Sequence, residues 1–348
     1  MAHQLNYNES TGKHSFLSVN QKAWHGLGQI VDQYPTSGEA LQFAGLDFEV
    51  VKEDIYTTSF NNDGQPMDFT KRIKTHSATI RKDTGAVLGV VGKDYEIVQN
   101  KDAFSFFDAI VGGGEGIMYE TAGALGQGEK IFITAKLPGY IRVANNDLVE
   151  KYLFLSTSHD GYGSITAAFT PVRIVCANTL NAALRNHTNA IRIRHTNGAK
   201  DRLEQAHHLM GISNQLASEI ETIFNRWAKV RITDKQLRNL IMEALIPNKE
   251  SLKALKEERE DECSTYYRNM CDTAFAYAMS NESQQMASTA GTLFGAYNGV
   301  TGYFQNVRKY KDPSAKLKSL MYGGIAQQRN QTSFDLCTAF EKGILTLN

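Results

Sequence analysis

Residues 164–194, SITAAFTPVRIVCANTLNAALRNHTNAIRIR, form the stretch around which the rest of the chain can be interpreted. Its first part predicts a β-strand, because apolar residues alternate with smaller or polar ones over residues 165–169. The pattern becomes helical from Asn178, and a second short strand then carries Arg192 and Arg194. Apolar, small and basic residues are therefore combined here more densely than elsewhere in the chain.

The overall composition is that of a globular protein with no net charge. A chain of 348 residues can form one large hydrophobic core or two ordinary ones. Hydrophobic residues make up 42% of the sequence and charged residues 21%, which is typical of soluble domains. The 37 basic residues equal the 37 acidic residues, so a nucleic-acid partner would require the charges to be sorted by face.

Cysteine usage and the absence of apolar segments predict a cytoplasmic protein. The four cysteines are far apart and form no C-x-x-C pair, which argues against a disulfide framework or a structural zinc site. Residues 1–14 contain no apolar segment, so no signal peptide is expected. No run of about 18 apolar residues occurs, and we therefore expect no membrane span.

The first half of the chain predicts antiparallel β-hairpins. Turn sequences separate runs with strand periodicity at four places, residues 61–64, 82–85, 126–129 and 159–163. A short capped helix is predicted at residues 37–44, before Gly45. The two hairpins that run into the predicted helix at Asn178 would form a β-β-β-α core.

The second half of the chain predicts helices, because the apolar period changes from two to about 3.6 after residue 200. The clearest apolar stripe consists of Met286, Ala290, Leu293, Tyr297, Val300, Phe304 and Val307. It could pack on neighbouring helices or mediate self-association as a short coiled coil. Strands followed by helices predict an α+β fold, with a β-rich domain at residues 1–200 and a helical domain at residues 201–348.

No motif in the sequence indicates catalysis, a cofactor or a metal. The glycine run at residues 112–116 follows a helix and lacks the Gly-Lys-Ser/Thr of a phosphate loop. His159 and Asp160 lie in a glycine-rich turn without another ligand at metal-binding spacing, so the turn explains them. Cys176 lies within an apolar run, where burial is the usual fate of a cysteine. We therefore predict that the protein is not an enzyme, although an enzyme using these three side chains stays an alternative.

A local basic cluster is the main candidate for a binding site. Between Arg185 and Arg202 only Asp201 opposes five basic residues. Arginine side chains match phosphate oxygens, and counterion release drives the binding of a polyanion. The candidate phosphate-binding residues are Arg173, Arg185, Arg192 and Arg194, with Arg72 and Lys74 as outlying contacts. The alternative is a solvated strand whose basic residues bind nothing.

Several segments spread over the chain resemble the phage/plasmid-like protein family of unknown function. They are residues 24–28, 92–100 with 103–104, 119–123, 170–180 and 295–303. The resemblance implies an origin in a mobile element and a cytoplasmic setting, and it assigns no catalytic residues. The order of the predicted elements is also similar, more loosely, to the β-β-β-α core of phage single-strand annealing proteins. That likeness implies rings or filaments that hold single-stranded DNA in a positive groove.

Together these observations predict a DNA-binding protein of a mobile element, such as a single-strand annealing or replication and recombination accessory factor. The expected partner is single-stranded DNA, and the protein is expected to form a homo-oligomer. The alternative is a protein-interaction factor, for example an inhibitor of a host defence system or a structural oligomer. Its surface would be the apolar stripe from Met286 to Val307, which would contact a host protein.

Overall fold

The secondary structure follows the predicted change from strands to helices. The computed structural model describes residues 5–9, 11–20, 28–61, 63–111, 118–162, 165–173, 178–179, 190–193, 214–311, 315–316, 319–320 and 324–347. Within these residues, strands dominate up to residue 193, and helices dominate from residue 214 onwards. The predicted α+β fold class is confirmed.

Short strands begin and end the described strand series, and the longer strands lie between them. In chain order they are β1 (Tyr7–Asn8), β2 (Lys13–His14), β3 (Phe16–Val19), β4 (Gln29–Val31), β5 (Val50–Phe60), β6 (Pro66–Arg81), β7 (Val87–Gly92), β8 (Met118–Leu125), β9 (Lys130–Val143), β10 (Asp147–Ser158), β11 (Ile165–Arg173), β12 (Asn178–Thr179) and β13 (Ala190–Ile193). The predicted turns between β6 and β7, β8 and β9, and β10 and β11 are confirmed.

An eight-stranded sheet forms the centre of the described β-rich part. Its order is β12-β11-β10-β9-β8-β3-β4, and β13 also pairs with β11. The neighbours pair antiparallel except for β3 and β4, which are parallel. Ile131 and Ile133 are buried in the main core, whereas Phe132 joins a smaller cluster with Phe16 and Phe154 on the opposite side. We call the side that carries Phe132 the outer face.

Two of the described helical elements lie among the strands, and the others follow from residue 214 onwards. They are α1 (Ser37–Phe43), α2 (Asn100–Val111), α3 (residues 214–227), α4 (Asp234–Leu245), α5 (Lys249–Lys256), α6 (Thr265–Ser280), α7 (Leu293–Gly302), which continues as a π-helical turn (Tyr303–Val307), and α8 (Ile325–Glu341). Thr36 with Glu39 and Thr233 with Gln236 form capping boxes that begin α1 and α4. The helix predicted at residues 37–44 is thus confirmed.

Helix α7 is the centre of the helical part, and all ten of its residues are buried. Tyr297 packs its ring against Trp227 and Phe334, with centroid distances of 5.7 and 5.9 Å. The predicted stripe is therefore part of the core, and the hypothesis that it forms an interaction surface is wrong. The stripe also begins later than predicted, because α7 starts at Leu293 after the N-cap Thr292.

The β-rich and helical parts share one hydrophobic core. Ser288 donates a buried hydrogen bond of 2.6 Å to Asp147 at the start of β10, and Asn225 of α3 donates an exposed hydrogen bond of 2.6 Å to the carbonyl of Arg142. The predicted boundary between two domains at residue 200 lies outside the described residues. The division into domains stays a prediction.

The helix predicted to begin at Asn178 is not found at that position. Asn178 and Thr179 form β12, which pairs with Arg173 and Val172 of β11. The rest of that predicted helix, residues 180–184, lies outside the described residues. Asn178 and Thr179 pair as a strand because backbone groups of β11 are available to bond with them. This pairing overrides a local helical preference.

Candidate functional site

A two-stranded ribbon extends from the three-stranded sheet formed by β5, β6 and β7. Strand β7 pairs only with residues 76–80 of β6, whereas β5 and β6 pair with each other as far as Phe60 and Pro66. Residues 55–61 and 63–74, which we call the ribbon, thus run about 20 Å beyond the end of β7. Residues 74–76 of β6 form a bulge, because Ile73 and Ser77 pair with the adjacent residues Ile55 and Asp54 of β5. Such a bulge bends the ribbon at its base.

Exposed aromatic and basic side chains occur together on the ribbon. Tyr56 and Phe60 are 55% and 63% exposed, which is unusual for rings of their size. Lys71 and Lys74 are also exposed, and neither forms an ion pair with any residue that the structure describes. Arg72, the strand partner of Tyr56, donates a hydrogen bond of 2.6 Å to Asp54. Stacking surfaces and cations therefore lie on the same exposed element.

The structure places the predicted arginines only in part. Arg185 and Arg194 lie outside the described residues. Arg173 is opposite Val149 near the end of β11, whereas Arg192 of β13 is opposite Thr166 near its beginning. These two register positions are seven residues apart along β11, which corresponds to roughly 23 Å. The described backbone thus does not bring Arg173 and Arg192 together.

Of the outlying candidates, Lys74 is available to a ligand and Arg72 is partly neutralised. The ion pair of Arg72 with Asp54 is exposed on both sides, so its free energy is small and a stronger anion can replace the carboxylate. The prediction treated these two residues as secondary contacts. Arg72 is the register partner of the exposed Tyr56, and Lys74 follows two residues later in the bulge at the base of the ribbon.

A polar cluster on the outer face of the eight-stranded sheet was not predicted. The Oη atom of Tyr152 lies 2.6 Å from Oε2 of Glu120 and 2.8 Å from Oε2 of Glu150. Lys136 forms an ion pair with Glu150, and its Nζ atom lies 5.7 Å from the centroid of the Tyr140 ring. We call Glu120, Lys136, Glu150 and Tyr152 the carboxyl cluster.

Two irregularities in strand pairing position the glutamates of this cluster. Glu120 is the extra residue of β8, because Tyr119 and Thr121 pair with consecutive residues of β9. On the other side, the register of β9 and β10 shifts between Glu150 and Lys151. Bulges re-aim side chains and are frequent beside functional sites. The alternation of Glu150 and Tyr152 is visible in the sequence, but the bulge at Glu120 depends on its partner strand.

Burial changes the ionisation of the carboxyl cluster. Burial raises the pKa of Glu120, and the charge of Glu150 adds to this effect, whereas Tyr152 and Lys136 oppose it. Although burial acts in the opposite direction, the hydrogen bond and the charge of Glu150 raise the pKa of Lys136. The half-exposed Tyr34 lies near the cluster, and burial together with Glu120 raises its pKa.

A buried arginine, Arg81, joins the base of the ribbon to the main sheet. Its guanidinium forms a two-bond ion pair with Asp83 at 2.7 and 2.9 Å and donates to Asn6 at 2.9 Å. The same group lies 3.8 Å from the centroid of the Phe48 ring. Arg81 is 2% exposed, so it serves the fold and is not available to a ligand. Sequence reasoning missed it because nothing local distinguishes it from the exposed Arg72.

His159 and Asp160 have different hydrogen-bond partners. His159 is buried and its Nε2 atom lies 2.9 Å from Oδ1 of Asn100. Asp160 accepts a hydrogen bond from the backbone N–H of Tyr162, as expected for a turn, and lies 3.8 Å from Lys130. Cys176 lies outside the described residues. Each of the two described side chains thus has a structural role in the turn.

The part of the chain that the structure describes contains neither a cluster of metal ligands nor a helix that could span a membrane. No group of three or more His, Cys, Asp or Glu residues is arranged to hold a metal ion within these residues. None of the described helices is sufficiently long and apolar to cross a bilayer.

Comparison with known proteins gives a family but no activity. The family model described as a domain of unknown function, DUF932, matches residues 87–321. The chain belongs to this family. The match includes the carboxyl cluster and α7, whereas the ribbon lies before it. No curated protein and no solved structure matches the chain.

Proposed function

We propose that this DUF932 protein binds single-stranded DNA without catalysing a reaction, as an annealing, replication or recombination accessory factor of a phage or plasmid. In this proposal it acts as a homo-oligomer in the cytoplasm of a bacterial host. The observation that carries the proposal is the ribbon, which combines the exposed rings of Tyr56 and Phe60 with the exposed cations Lys71 and Lys74 on one two-stranded element. This is the combination that single-strand binding requires.

The exposure of the two rings supports a ligand because the fold does not use them. A buried aromatic side chain stabilises a core through the large area that it removes from water. Tyr56 and Phe60 keep more than half of their surface in solvent and therefore contribute little to the stability of the chain. Every nucleic-acid base has a π-face, whatever the sequence. Two exposed rings on one strand can therefore stack on bases without selecting among them.

The charges of the ribbon support weak, salt-dependent binding by each protein molecule. Lys71 and Lys74 are free to contact phosphates, whereas Glu53 and Asp54 near the base reduce the local positive potential. Two phosphate contacts give a slope of log K against log salt of about −1.4 for a single strand. Arg173, Arg185, Arg192 and Arg194 would add to this slope if they contact the same strand. An oligomer would multiply the contacts along the DNA.

Fluorescence anisotropy with a long labelled single-stranded oligonucleotide tests the proposal. We expect binding at low salt that weakens as salt rises. Tyr56→Ala should weaken it by roughly 5- to 150-fold, the equivalent of about 1–3 kcal/mol for one stacked base. Lys71→Ala with Lys74→Ala should make the salt slope shallower by about 1.4.

Matched controls come from exposed residues of the helical part. Tyr266→Ala removes a ring that is 69% exposed on α6, and Lys235→Ala with Lys249→Ala removes two exposed lysines. Neither control should change the affinity. If the wild-type protein does not bind at low salt, or if the control variants lose as much affinity as the ribbon variants, the proposal is wrong.

A protein-interaction role is the second candidate, and the ribbon is also the surface that favours it. Phe60 at the far end of β5 is 63% exposed, and anchoring aromatic residues of this kind dominate protein interfaces. The partner would be a host protein, as for an inhibitor of a defence system, or another copy of the chain. A pull-down from nuclease-treated lysate that depends on Phe60 but not on Lys71 would support this role over DNA binding.

A further inference from the structure

If both glutamates of the carboxyl cluster were ionised, the Tyr152 hydroxyl would face two hydrogen-bond acceptors with one hydrogen to donate. Both short distances, 2.6 Å to Glu120 and 2.8 Å to Glu150, end on the same phenol oxygen of Tyr152. An ionised carboxylate only accepts hydrogen bonds, and a tyrosine hydroxyl has a single hydrogen to donate. Two ionised carboxylates at these distances would therefore leave one contact without a proton and two like charges within a few ångströms.

A proton on one of the glutamates removes this conflict, because a protonated carboxyl group can donate to Tyr152 while Tyr152 donates to the other. Lys136 determines which glutamate carries the charge. Its ammonium group forms an ion pair with Glu150, and no ion pair of Glu120 occurs among the residues that the structure describes. Glu150 is thus the carboxylate, and Glu120 is the carboxylic acid.

We propose that Glu120, Tyr152 and Glu150 share a proton in a relay in which Glu120 is the protonated member, and that loss of this proton loosens the outer face of the sheet. The titratable and charged groups that face Glu120 are Tyr34, Lys136, Tyr140, Glu150 and Tyr152. The relay is independent of the ribbon, so its failure and the failure of DNA binding are distinguishable.

The pKa of Glu120 agrees with this assignment. Burial is the largest cause that raises it, and the charge of Glu150 raises it further. A carboxyl group whose pKa is higher in the folded than in the unfolded state stabilises the fold while it is protonated. This contribution is complete below the pKa of the unfolded chain and is lost as the pH rises through the pKa of folded Glu120.

The position of the relay explains why release of the proton would affect the sheet. Glu120 is on β8 and Glu150 is on β10, and these strands flank β9 on either side. Two charged glutamates would repel each other across β9, at the place where both pairings are already irregular. Tyr34, which precedes α1 and lies near the cluster, would lose a neutral neighbour.

Urea denaturation of the full chain over a range from about pH 4 to about pH 9 tests the relay. Glu120→Gln keeps a neutral group that can donate to Tyr152 but cannot lose a proton. We expect the variant and the wild type to differ least at the acidic end. As the pH rises, the midpoint of the wild type should fall relative to that of Glu120→Gln. Glu53→Gln, an exposed control on β5, should show no such trend.

A measurement on the wild type keeps the test valid if Glu120→Gln does not fold. The carboxyl carbon of Glu120, assigned by NMR, should titrate clearly above the range of exposed glutamates, whose ordinary pKa is about 4.3. Tyr152→Phe should change this titration, because it removes the atom that joins the two carboxyl groups. Titration of Glu120 in the ordinary range, or parallel denaturation profiles of wild type and Glu120→Gln at every pH, would overturn the proposal.

Discussion

Helix α7 and the ribbon both contain aromatic residues, but they differ in whether these residues are buried or exposed. Both contain aromatic and small residues, yet every residue of α7 is buried, whereas Tyr56 and Phe60 of the ribbon are more than half exposed. Burial of Tyr297 among Trp227 and Phe334 stabilises the fold. Exposure of Tyr56 stabilises nothing within the chain. The difference shows that the aromatic residues of α7 maintain the structure, whereas the exposed rings of the ribbon contribute little to it.

The close packing of α7 gives the largest expected effect on stability. A Cβ atom at Gly295 would lie 1.9 Å from the carbonyl oxygen of Thr289, which is a backbone atom and cannot move cheaply. We expect Gly295→Ala to lower the free energy of unfolding by about 3 kcal/mol or more, as measured by urea denaturation. Gly38→Ala in α1 is the control, since a Cβ atom there would meet nothing within 4 Å. If both variants are equally stable, α7 is not packed as described.

Two arginines of β6 allow buried and exposed side chains to be compared within one strand. Arg81 is buried at the base of the ribbon, whereas Arg72 forms an exposed ion pair within it. Arg81→Ala should cost about 3 kcal/mol, because it breaks the ion pair with Asp83, removes the donor to the carbonyl of Gln127 and removes the contact with Phe48. Arg72→Ala should cost at most about 0.5 kcal/mol. Thermal and urea unfolding of the two variants check the difference, and equal losses would contradict it.

The smallest expected effect on stability belongs to the ribbon itself. Tyr56→Ala should change the free energy of unfolding by no more than about 0.5 kcal/mol, because an exposed side chain loses few contacts. The same variant is expected to lose most of its affinity for DNA. Measuring both quantities on one preparation separates a binding residue from a folding residue. A large loss of stability would show that the ribbon belongs to the core and would remove the contrast with α7.

Much of the fold could be predicted because its signals are local. The capping boxes at Thr36 and Thr233 and the turn at Gly85, which has a positive φ of 69°, each act within a few residues. The apolar stripe of α7 was recognised correctly, but its periodicity is the same for a core helix and for an interface helix. Only the packing of Tyr297 against other helices decides between the two.

The candidate sites were less predictable because they depend on partners distant in sequence. Whether Asn178 begins a helix or pairs as a strand is decided by β11, and whether Glu120 points out of the sheet is decided by its register with β9. The exposure of Tyr56 depends on which elements pack over the faces of the ribbon, and this is decided by the whole fold. Spacing within the chain contains none of this information. The clustering of charge in the sequence therefore predicted that Arg173 and Arg192 act together, whereas the described backbone separates them.

Photochemical cross-linking of a single-stranded oligonucleotide to the full chain, followed by mass spectrometry of the peptides, tests the central claim most directly. The account predicts that cross-links concentrate at Tyr56 and Phe60, and that they decrease when Lys71 and Lys74 are both replaced by alanine. Tyr266, which is more exposed on α6 than either ring of the ribbon, should not be cross-linked. Cross-links that avoid the ribbon, or that form equally at Tyr266, would contradict the account.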